Sequence, residues 1–243
     1  MIPSFRIARW SLWTPEICEA EQWRTWAAEP RALRGSGVPD LPFLPPLQRR
    51  RCDALARMML HVANECCTTD ERATFPVVFA SRFGPIDTTV ALLEAIARGE
   101  TVSPTRFSHS VHNTQLGLFS IWSGNRAPAS SIAAGAETFA AGFLEAAALM
   151  QRLDAEHVLY VVGDTCIPEP LDSLGVEVET SHALALLLAQ PQTGPRIGMR
   201  RTTNASSQPW PDALSFVQWL LGDQAELRLG NGESAWCWIR DST

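Results

Sequence analysis

Residues 130–150 read SSIAAGAETFAAGFLEAAALM, and this stretch says most about the fold of the chain. Its first five residues are small and partly β-branched, which is typical of a buried strand that enters a tight turn. Gly135 permits the unusual backbone angles of such a turn. Glu137 and Thr138 supply the acid and the hydroxyl that a first helical turn prefers, so a capping role is the simplest interpretation of Glu137. The stretch predicts a strand, a sharp turn and a helix in succession.

The predicted helix carries an apolar face. Its apolar positions recur at helical spacing and are Phe139, Phe143, Ala146, Met150 and Leu153. A strand, a turn and an amphipathic helix make one buried βα unit, and most such units in α/β proteins are structural. The unit by itself therefore predicts the α/β fold class rather than an activity.

Residues 127–147, APASSIAAGAETFAAGFLEAA, resemble the region of β-ketoacyl-acyl carrier protein synthases in which a strand of small residues turns sharply into a helix. In that family the turn carries the cysteine that becomes acylated. An ungapped alignment places Ala136 at the cysteine position. Because a methyl group cannot become a thiolate, the resemblance implies a ketosynthase-like protein without this nucleophile.

Other segments resemble the same family in the same order along the chain. They are RWSLW, LPPLQRRRCDALARMMLHVANECC, FPVVFASRFGPIDTTVALLEAIARGETVSP, SVHNTQLGLFSIWSGNRAP, VLYVVGD and ALALLLAQ, and together they cover most of residues 5 to 190. The chain is most similar to short ketosynthase-like N-terminal domain proteins and chain-length-factor-like proteins. The resemblance implies one thiolase-like half, a mixed β-sheet packed with helices.

The chain also departs from the family. A ketosynthase resembles two related halves, and its two catalytic histidines come from the second half, whereas this chain has about the length of one half plus a tail. No HGT-like histidine motif follows Gln190. We therefore expect no catalytic residue, and we expect any pocket to involve the turn and a nearby polar loop. These pocket candidates are Gly135, Ala136, Glu137, Thr138, His109, His112 and Asn113.

The remaining histidines have structural interpretations. His61 lies in a helical pattern, His157 precedes a strand, and His182 lies where another strand begins. Even for His109 and His112, hydrogen bonding to the backbone is the more common role of a loop histidine.

Composition excludes several function classes. The chain has 243 residues, 46% of them hydrophobic, and a net charge of −6, which favours one well-packed core over disorder. All twenty basic residues are arginine, and no basic stripe with interleaved aromatic residues indicates a nucleic-acid partner. No apolar run is long enough to cross a bilayer, and the N-terminal residues do not resemble a signal peptide, so we expect a cytoplasmic protein.

The six cysteines show no metal-ligand spacing, so we expect no metal site and no cofactor. Cys66 and Cys67 are adjacent at the end of a predicted helix, where pairing with each other is unfavourable. Cys166, just beyond a predicted strand, is the thiol to examine as an alternative nucleophile.

One α/β domain spanning residues 1–243 is predicted, with residues 191–243 as a C-terminal extension of it. The proline- and glycine-rich residues 29–48 are interpreted as a loop or lid. Helices are expected near 15–28, 48–67, 86–98, 137–153 and 211–221. Strands are expected near 5–11, 76–81, 129–134, 158–163, 182–189, 225–229 and 235–239, with a polar loop RRTTNASSQPWP at residues 200–211 and a tight turn at Asn231-Gly232.

Two functional hypotheses follow. The first is a non-catalytic, chain-length-factor-like subunit of fatty-acid-like, polyketide or aryl-polyene assembly, which pairs with a full-length ketosynthase, an acyl carrier protein or both. The second is a stand-alone acyl hydrolase or acyltransferase on a thiolase-like half, although G-x-S-x-G, S-x-x-K and H-E-x-x-H motifs are all absent.

Two surfaces are predicted for assembly. One is the cluster Arg49, Arg50 and Arg51, which opens a predicted helix. Such a cluster is usually a solvated face, and docking of an acidic carrier protein is the functional alternative.

The other surface is the strand before the turn. In the thiolase-like family this strand pairs across a two-fold axis. The resemblance therefore implies a homodimer, or a heterodimer with a full-length ketosynthase, built on residues 130–134 and the helix that follows the turn.

Overall fold

The computed structural model describes residues 4–169, 171, 180–190, 195–203, 208–231 and 234–241. The helices of these residues are α1 (Ala20–Ala28), α2 (Pro46–Arg49), α3 (Ala54–Cys66), α4 (Thr69–Thr74), α5 (Ile86–Ala97), α6 (Pro104–Ser108), α7 (Thr114–Ser123), α8 (Thr138–Leu153) and α9 (Asp212–Leu221). The strands are β1 (Arg6–Trp13), β2 (Val77–Ala80), β3 (Ala129–Ile132), β4 (His157–Asp164), β5 (His182–Ala189), β6 (Arg196–Thr202), β7 (Glu226–Asn231) and β8 (Ser234–Asp241).

A five-stranded mixed sheet forms the centre of the fold, in the order β1-β5-β4-β2-β3. β2 runs parallel to both β3 and β4, whereas β5 runs antiparallel to both β1 and β4. β3 therefore lies at one edge of this sheet. The mixed sheet packed with helices confirms the predicted α/β class.

Alternate residues of the central strands pack on opposite faces of the sheet, as a period of two requires. One face, which includes Val77, Phe79 and Leu159, packs against α3 and Phe119 of α7. The other face, which includes Val78 and Tyr160, packs against α8, α9 and the small C-terminal sheet. The strands are buried on both sides, which explains their nearly continuous apolar sequences.

The C-terminal extension forms a three-stranded antiparallel sheet in the order β6-β8-β7. Aromatic side chains of α8 contact both sheets, since the ring of Phe143 lies 5.1 Å from that of Tyr160 in β4 and 5.9 Å from that of Trp238 in β8. Phe5, just before β1, and Ile197 of β6 join the two sheets by a pair of backbone hydrogen bonds of 3.0 and 2.8 Å. The extension is thus packed into the main hydrophobic core.

Several predicted elements need correction. Leu153 is 39% exposed, so the apolar face assigned to α8 is partly wrong. The first three residues of the expected polar loop at 200–211 belong to β6, because this strand, which the sequence analysis missed, pairs with β8 as far as Thr202 and buries its alternate residues Ile197 and Met199. β7 and β8 confirm the two predicted C-terminal strands, whereas Gly232 of the predicted turn lies outside the described residues.

The loop of residues 29–48 is held in place. The Glu16 carboxylate accepts hydrogen bonds from the backbone N–H groups of Arg34 and Gly35 and from the Arg31 guanidinium. The Trp26 indole donates to the Arg31 carbonyl at 2.8 Å. Leu33, Leu41 and Leu44 of this loop are buried. These contacts favour a fixed loop over a lid.

Candidate functional site

The turn between β3 and α8 has a defined geometry, and we call residues 133–137 the elbow. Gly135 has a φ of +56°, in the left-handed region that favours glycine, and begins a single 3₁₀ turn that ends at Glu137. The Thr138 hydroxyl donates to the Gly135 carbonyl at 2.7 Å and accepts from the Ala134 N–H at 3.0 Å. Thr138 therefore makes the hydrogen bonds that hold the elbow, and helix α8 starts directly from it.

Ala136 lies in the middle of the 3₁₀ turn and is exposed, as are the other small residues 133–135. The turn thus presents the side chain of Ala136 outward, just before the N-terminus of a long helix. A thiol at such a place would be activated by the helix, but a methyl group offers neither a nucleophile nor a proton. The elbow is a tight strand-to-helix turn whose exposed middle residue carries a methyl group.

Glu137 does not cap α8, since no side-chain capping hydrogen bond is present at this helix N-terminus. Its carboxylate oxygen Oε2 instead accepts a hydrogen bond of 3.1 Å from the indole Nε1 of Trp236 in β8. The expected capping role is therefore corrected, and Glu137 connects the elbow to the C-terminal sheet.

His112 is the predicted loop residue that lies beside β3. Its Nε2 lies 2.8 Å from the Ser81 carbonyl, and its Nδ1 lies 3.1 Å from the Ser131 hydroxyl of β3. Because a carbonyl only accepts, Nε2 carries a proton. The Ser131 hydroxyl also donates to the His112 carbonyl at 3.4 Å. His112 therefore joins the ends of β2 and β3.

His109 and Asn113 differ from His112. His109 ends α6, and its carbonyl accepts a hydrogen bond of 3.1 Å from the Thr114 hydroxyl. Asn113 is exposed at the start of α7 and makes no side-chain cap there. No described hydrogen bond joins either side chain to the elbow. The structure thus places three of the seven predicted residues in the elbow, Thr138 at the start of α8, and the other three in or beside the neighbouring α6–α7 loop, where only His112 has a described hydrogen bond to β3.

A buried polar network at the ends of β2, β4 and β5 was missed by the sequence analysis. The Asp164 carboxylate accepts from the Ser81 hydroxyl at 2.8 Å and from the backbone N–H groups of Arg82 and Phe83 at 2.9 and 3.3 Å. His182 lies opposite Asp164 in the β4–β5 pairing. Burial raises the pKa of Asp164 and lowers the pKa of His182. The network fixes the loop that leads from β2 to α5.

The three clustered arginines do not open a helix as predicted. Pro46 starts the short helix α2, which Arg49 ends, and Arg50 and Arg51 lie in the turn before α3. The Asp53 carboxylate caps α3 instead, accepting from the Ala56 N–H at 2.7 Å. Arg49 is also paired with Asp40 at 3.7 Å, so the exposed positive charge comes mainly from the other two arginines.

The cysteines are all free thiols. Cys166 is exposed, and its sulfur accepts from the Ser181 hydroxyl at 3.5 Å. Among the described residues no group of three or more His, Cys, Asp or Glu side chains could hold a metal ion. Within the same residues, no helix has the length and hydropathy needed to span a bilayer.

Comparisons with known proteins agree with this geometry. The family model for the β-ketoacyl synthase N-terminal domain matches residues 23–239. No curated protein matches the chain in sequence.

Three solved structures are similar in fold. One is a complex of the ketosynthase ApeO with its chain length factor ApeC from Xenorhabdus doucetiae, with 25% identity, a TM-score of 0.85, and coverage of 98% of this chain and 99% of that one. The ishigamide ketosynthase/chain length factor has 14% identity and a TM-score of 0.66, and the match covers 81% of this chain and 67% of that one. AntDE:AntF, a type II polyketide acyl carrier protein in complex with its ketosynthase, has 9% identity, a TM-score of 0.74, and coverage of 99% of both chains. The thiolase-like fold expected from the sequence is confirmed, and the chain belongs to the β-ketoacyl synthase N-terminal domain family.

Proposed function

We propose that this chain is a non-catalytic, chain-length-factor-like subunit that pairs with a full-length ketosynthase in polyketide, fatty-acid-like or aryl-polyene assembly. The observation that carries the proposal is the elbow, which keeps its turn, its threonine and its helix but presents the methyl group of Ala136. The similar chains of the Xenorhabdus doucetiae and ishigamide structures come from complexes of a ketosynthase with a chain length factor. We also propose that the subunit is one domain, uses no cofactor and acts in the cytoplasm.

The chemical part of the proposal can be tested on the purified chain. After incubation with an acyl-loaded carrier protein, intact-mass spectrometry should show no acyl adduct, because no thiol lies at the elbow. Ala136→Cys is the matched variant, and it should not restore condensation, since none of the hydrogen bonds described for the histidines reaches the elbow. A stoichiometric adduct on the wild-type chain, above all on Cys166, would refute the non-catalytic assignment.

The assembly part of the proposal concerns the free edge of β3. Val77 and Ser81 donate their N–H groups to the carbonyls of Pro128 and Ile132, so the backbone groups of Ala129 and Ser131 point away from β2. An unpaired edge of this kind is suited to pairing with a strand of a second chain. We propose that β3 pairs with the partner across an approximate two-fold axis.

Two variants test this pairing. Ala129→Pro removes an N–H group on the free edge only, and Ile132→Lys places a charge on the strand. Light scattering of the chain mixed with a full-length ketosynthase from the same organism should show a complex for the wild type and none for either variant. A monomeric wild-type chain that forms no complex would rule the assembly out. Since Ile132 is partly packed against the core, Ala129→Pro is the more informative variant.

One contact favours the second candidate function, an acyl hydrolase. The His112 Nδ1 to Ser131 Oγ distance of 3.1 Å lies within the range of a nucleophile and its general base. A fluorophosphonate probe separates the two functions: labelling that disappears in Ser131→Ala would support the hydrolase, and an unlabelled wild-type chain supports the subunit.

A further inference from the structure

Two cysteines lie at the junction of helices α3 and α4. Cys66 is the last residue of α3, and Cys67 is its C-cap. Thr68 then caps α4, since its hydroxyl accepts a hydrogen bond of 3.4 Å from the Glu71 N–H. Cys67 is therefore the single residue between the two helices and their caps. Both cysteines are buried, Cys66 with 1% and Cys67 with 4% of its surface exposed. A covalent change at these sulfurs acts on both helix ends.

The thiols of Cys66 and Cys67 interact with each other. Among the described contacts, none of the other four cysteines meets a second thiol. A disulfide between neighbouring residues is strained, because their Cα atoms lie about 3.8 Å apart and an ordinary disulfide needs about 4.4–6.8 Å. Strain makes a disulfide easy to reduce. The pair is therefore suited to a reversible link rather than to a permanent one.

Two guanidinium groups favour a thiolate at Cys67. Arg9 of β1 attracts the negative charge of both sulfurs, and Arg72 of α4, which donates to the Cys67 carbonyl at 3.0 Å, attracts that of Cys67. The interaction with Cys66 lowers the pKa of the Cys67 thiol, against burial and the charge of Glu71. The same interaction, together with burial, raises the pKa of Cys66. Since the thiolate is the nucleophile, Cys67 is the thiol that reacts first.

We propose that Cys66 and Cys67 form a site of reversible oxidation, at which hydrogen peroxide joins the two neighbouring sulfurs in a disulfide. Helix ends open more readily than helix middles, which gives a small oxidant access to thiols that are buried in the average structure. This inference goes beyond the proposed function and does not depend on it.

The reaction has two steps. The Cys67 thiolate attacks one peroxide oxygen, so that an S–O bond forms, the O–O bond breaks, and the hydroxide released takes up the proton that Cys67 gave up. The Cys66 thiol then attacks the Cys67 sulfur. The S–S bond forms, the S–O bond breaks, and the leaving hydroxide takes the Cys66 proton. The thiols are oxidised to a disulfide and the peroxide is reduced to water, and an added dithiol reverses the link by exchange.

Closure of the disulfide changes the junction. In the reduced chain the Cys67 N–H donates to the Ala63 carbonyl at 3.2 Å, and the Cys67 carbonyl accepts from Arg72. The new bond closes a small ring through the peptide that joins Cys66 and Cys67, so this peptide leaves its present geometry. We expect the last turn of α3 and the first turn of α4 to loosen in the oxidised chain.

The sequence makes the test sharp. Trypsin cleaves after Arg57 and Arg72 and releases residues 58–72, which contain Cys66, Cys67 and no other cysteine. The folded full chain is treated with hydrogen peroxide, and its remaining thiols are then alkylated in denaturant. Peptide 58–72 should be about 2 Da lighter than its reduced form and carry no alkyl group. Dithiothreitol before alkylation should restore both thiols.

Cys52 is the matched internal control. It lies alone in the tryptic peptide of residues 52–57, and burial raises the pKa of its thiol to about 11. Without a second thiol beside it, Cys52 should stay reduced. Hydrogen exchange gives a second readout: amides of residues 63–72 should exchange faster in the oxidised chain and recover on reduction, while circular dichroism shows that the chain stays folded.

Two variants separate the roles of the thiols. Cys66→Ser should stop the reaction at a sulfenic acid on Cys67, which dimedone traps. Cys67→Ser should leave Cys66 unoxidised at the same peroxide concentration. The reverse pattern would overturn the assignment of Cys67 as the nucleophile.

Three other results overturn the inference itself and leave the proposed function standing. One is a peptide 58–72 that stays reduced at peroxide concentrations that oxidise the exposed Cys166. Another is a disulfide that joins peptide 58–72 to a different peptide. The third is a link that forms only when urea unfolds the chain.

Discussion

Glu137 and Trp236 are 99 positions apart in the sequence, yet the indole Nε1 of Trp236 donates a hydrogen bond of 3.1 Å to the Glu137 carboxylate. This contact joins the residue after Ala136 to the last strand of the C-terminal sheet. The extension therefore contacts the elbow directly, in addition to covering α8. We infer that it stabilises the elbow geometry.

Removing this contact should loosen the attachment of the extension to the elbow. Trp236→Phe keeps an aromatic ring but has no N–H donor, so the amides of residues 135–137 should exchange faster with deuterium. Trp10→Phe, a half-buried indole elsewhere in the same core, is the matched control and should leave elbow exchange unchanged. Unaltered exchange at the elbow in Trp236→Phe would show that the contact contributes little.

The exposed elbow predicts a specific labelling pattern. In a background of Cys18→Ser and Cys166→Ser, which removes both exposed thiols, Ala136→Cys should react rapidly with a maleimide. Addition of the full-length ketosynthase should slow this reaction, because the proposed pairing of β3 buries the adjacent elbow. Equal labelling rates with and without bound ketosynthase would place the elbow outside the interface.

Carrier-protein docking should depend on the arginines that have no acidic partner among the described contacts. Arg50→Glu with Arg51→Glu should weaken binding of the acyl carrier protein by about fivefold to tenfold in a fluorescence titration at low salt, with a smaller effect at high salt. Arg24→Glu, on α1 and paired with Glu21 at 2.8 Å, is the control. If the affinity is unchanged, the cluster is a solvated face.

The close approach of α8 to β4 predicts a steric effect on stability. In Gly142→Ala the new Cβ would lie 2.5 Å from the ring of Tyr160, whose hydroxyl is fixed by the Phe139 carbonyl at 2.8 Å. We expect a loss of about 1–3 kcal/mol in the free energy of unfolding by urea. Gly117→Ala in α7 meets no atom within 4 Å and should be neutral or stabilising by about 0.5–1 kcal/mol.

Asp212, at the start of α9, predicts that the free energy of unfolding depends on pH. Burial raises its pKa from 3.8 to about 6, against the attraction of Arg82. The folded state therefore binds the carboxyl proton of Asp212 more tightly than the unfolded state does. The stabilisation that this proton contributes is lost as the pH rises from about 4 to 6. Asp212→Asn should raise the free energy of unfolding at pH 7 by about 1–3 kcal/mol and flatten this part of the profile. Asp223→Asn, at an exposed site, should change neither quantity.

The βα unit could be predicted because its signals are local. Small residues, Gly135 and the helical recurrence of Phe139 and Phe143 all lie within a short window, and each favours the same structure. Helix α7 was missed, because Gly117 interrupts it and the exposed Ile121 breaks its apolar periodicity. Strand β6 was missed, because its arginines suggested a loop although Ile197 and Met199 alternate.

The polar contacts could not be predicted, because they depend on pairings between distant segments. Asp164 and His182 become neighbours only through the antiparallel pairing of β4 and β5. His112 reaches Ser81 only after β2 and β3 are side by side. No pattern within a short window encodes either distance.

The position of β1 has a consequence for synthesis. Among the described residues this strand pairs along its length with β5 alone, which ends at Ala189, and its preceding residue Phe5 bonds to Ile197. At about 5–20 residues per second, a ribosome needs on the order of ten seconds to make the chain between β1 and that partner. β1 therefore stays unpaired until β5 has been made, and pairings of such long sequence separation make folding slow. We expect the nascent chain to close its central sheet only after Ala189 has been made, so a chaperone that shields β1 should raise its yield.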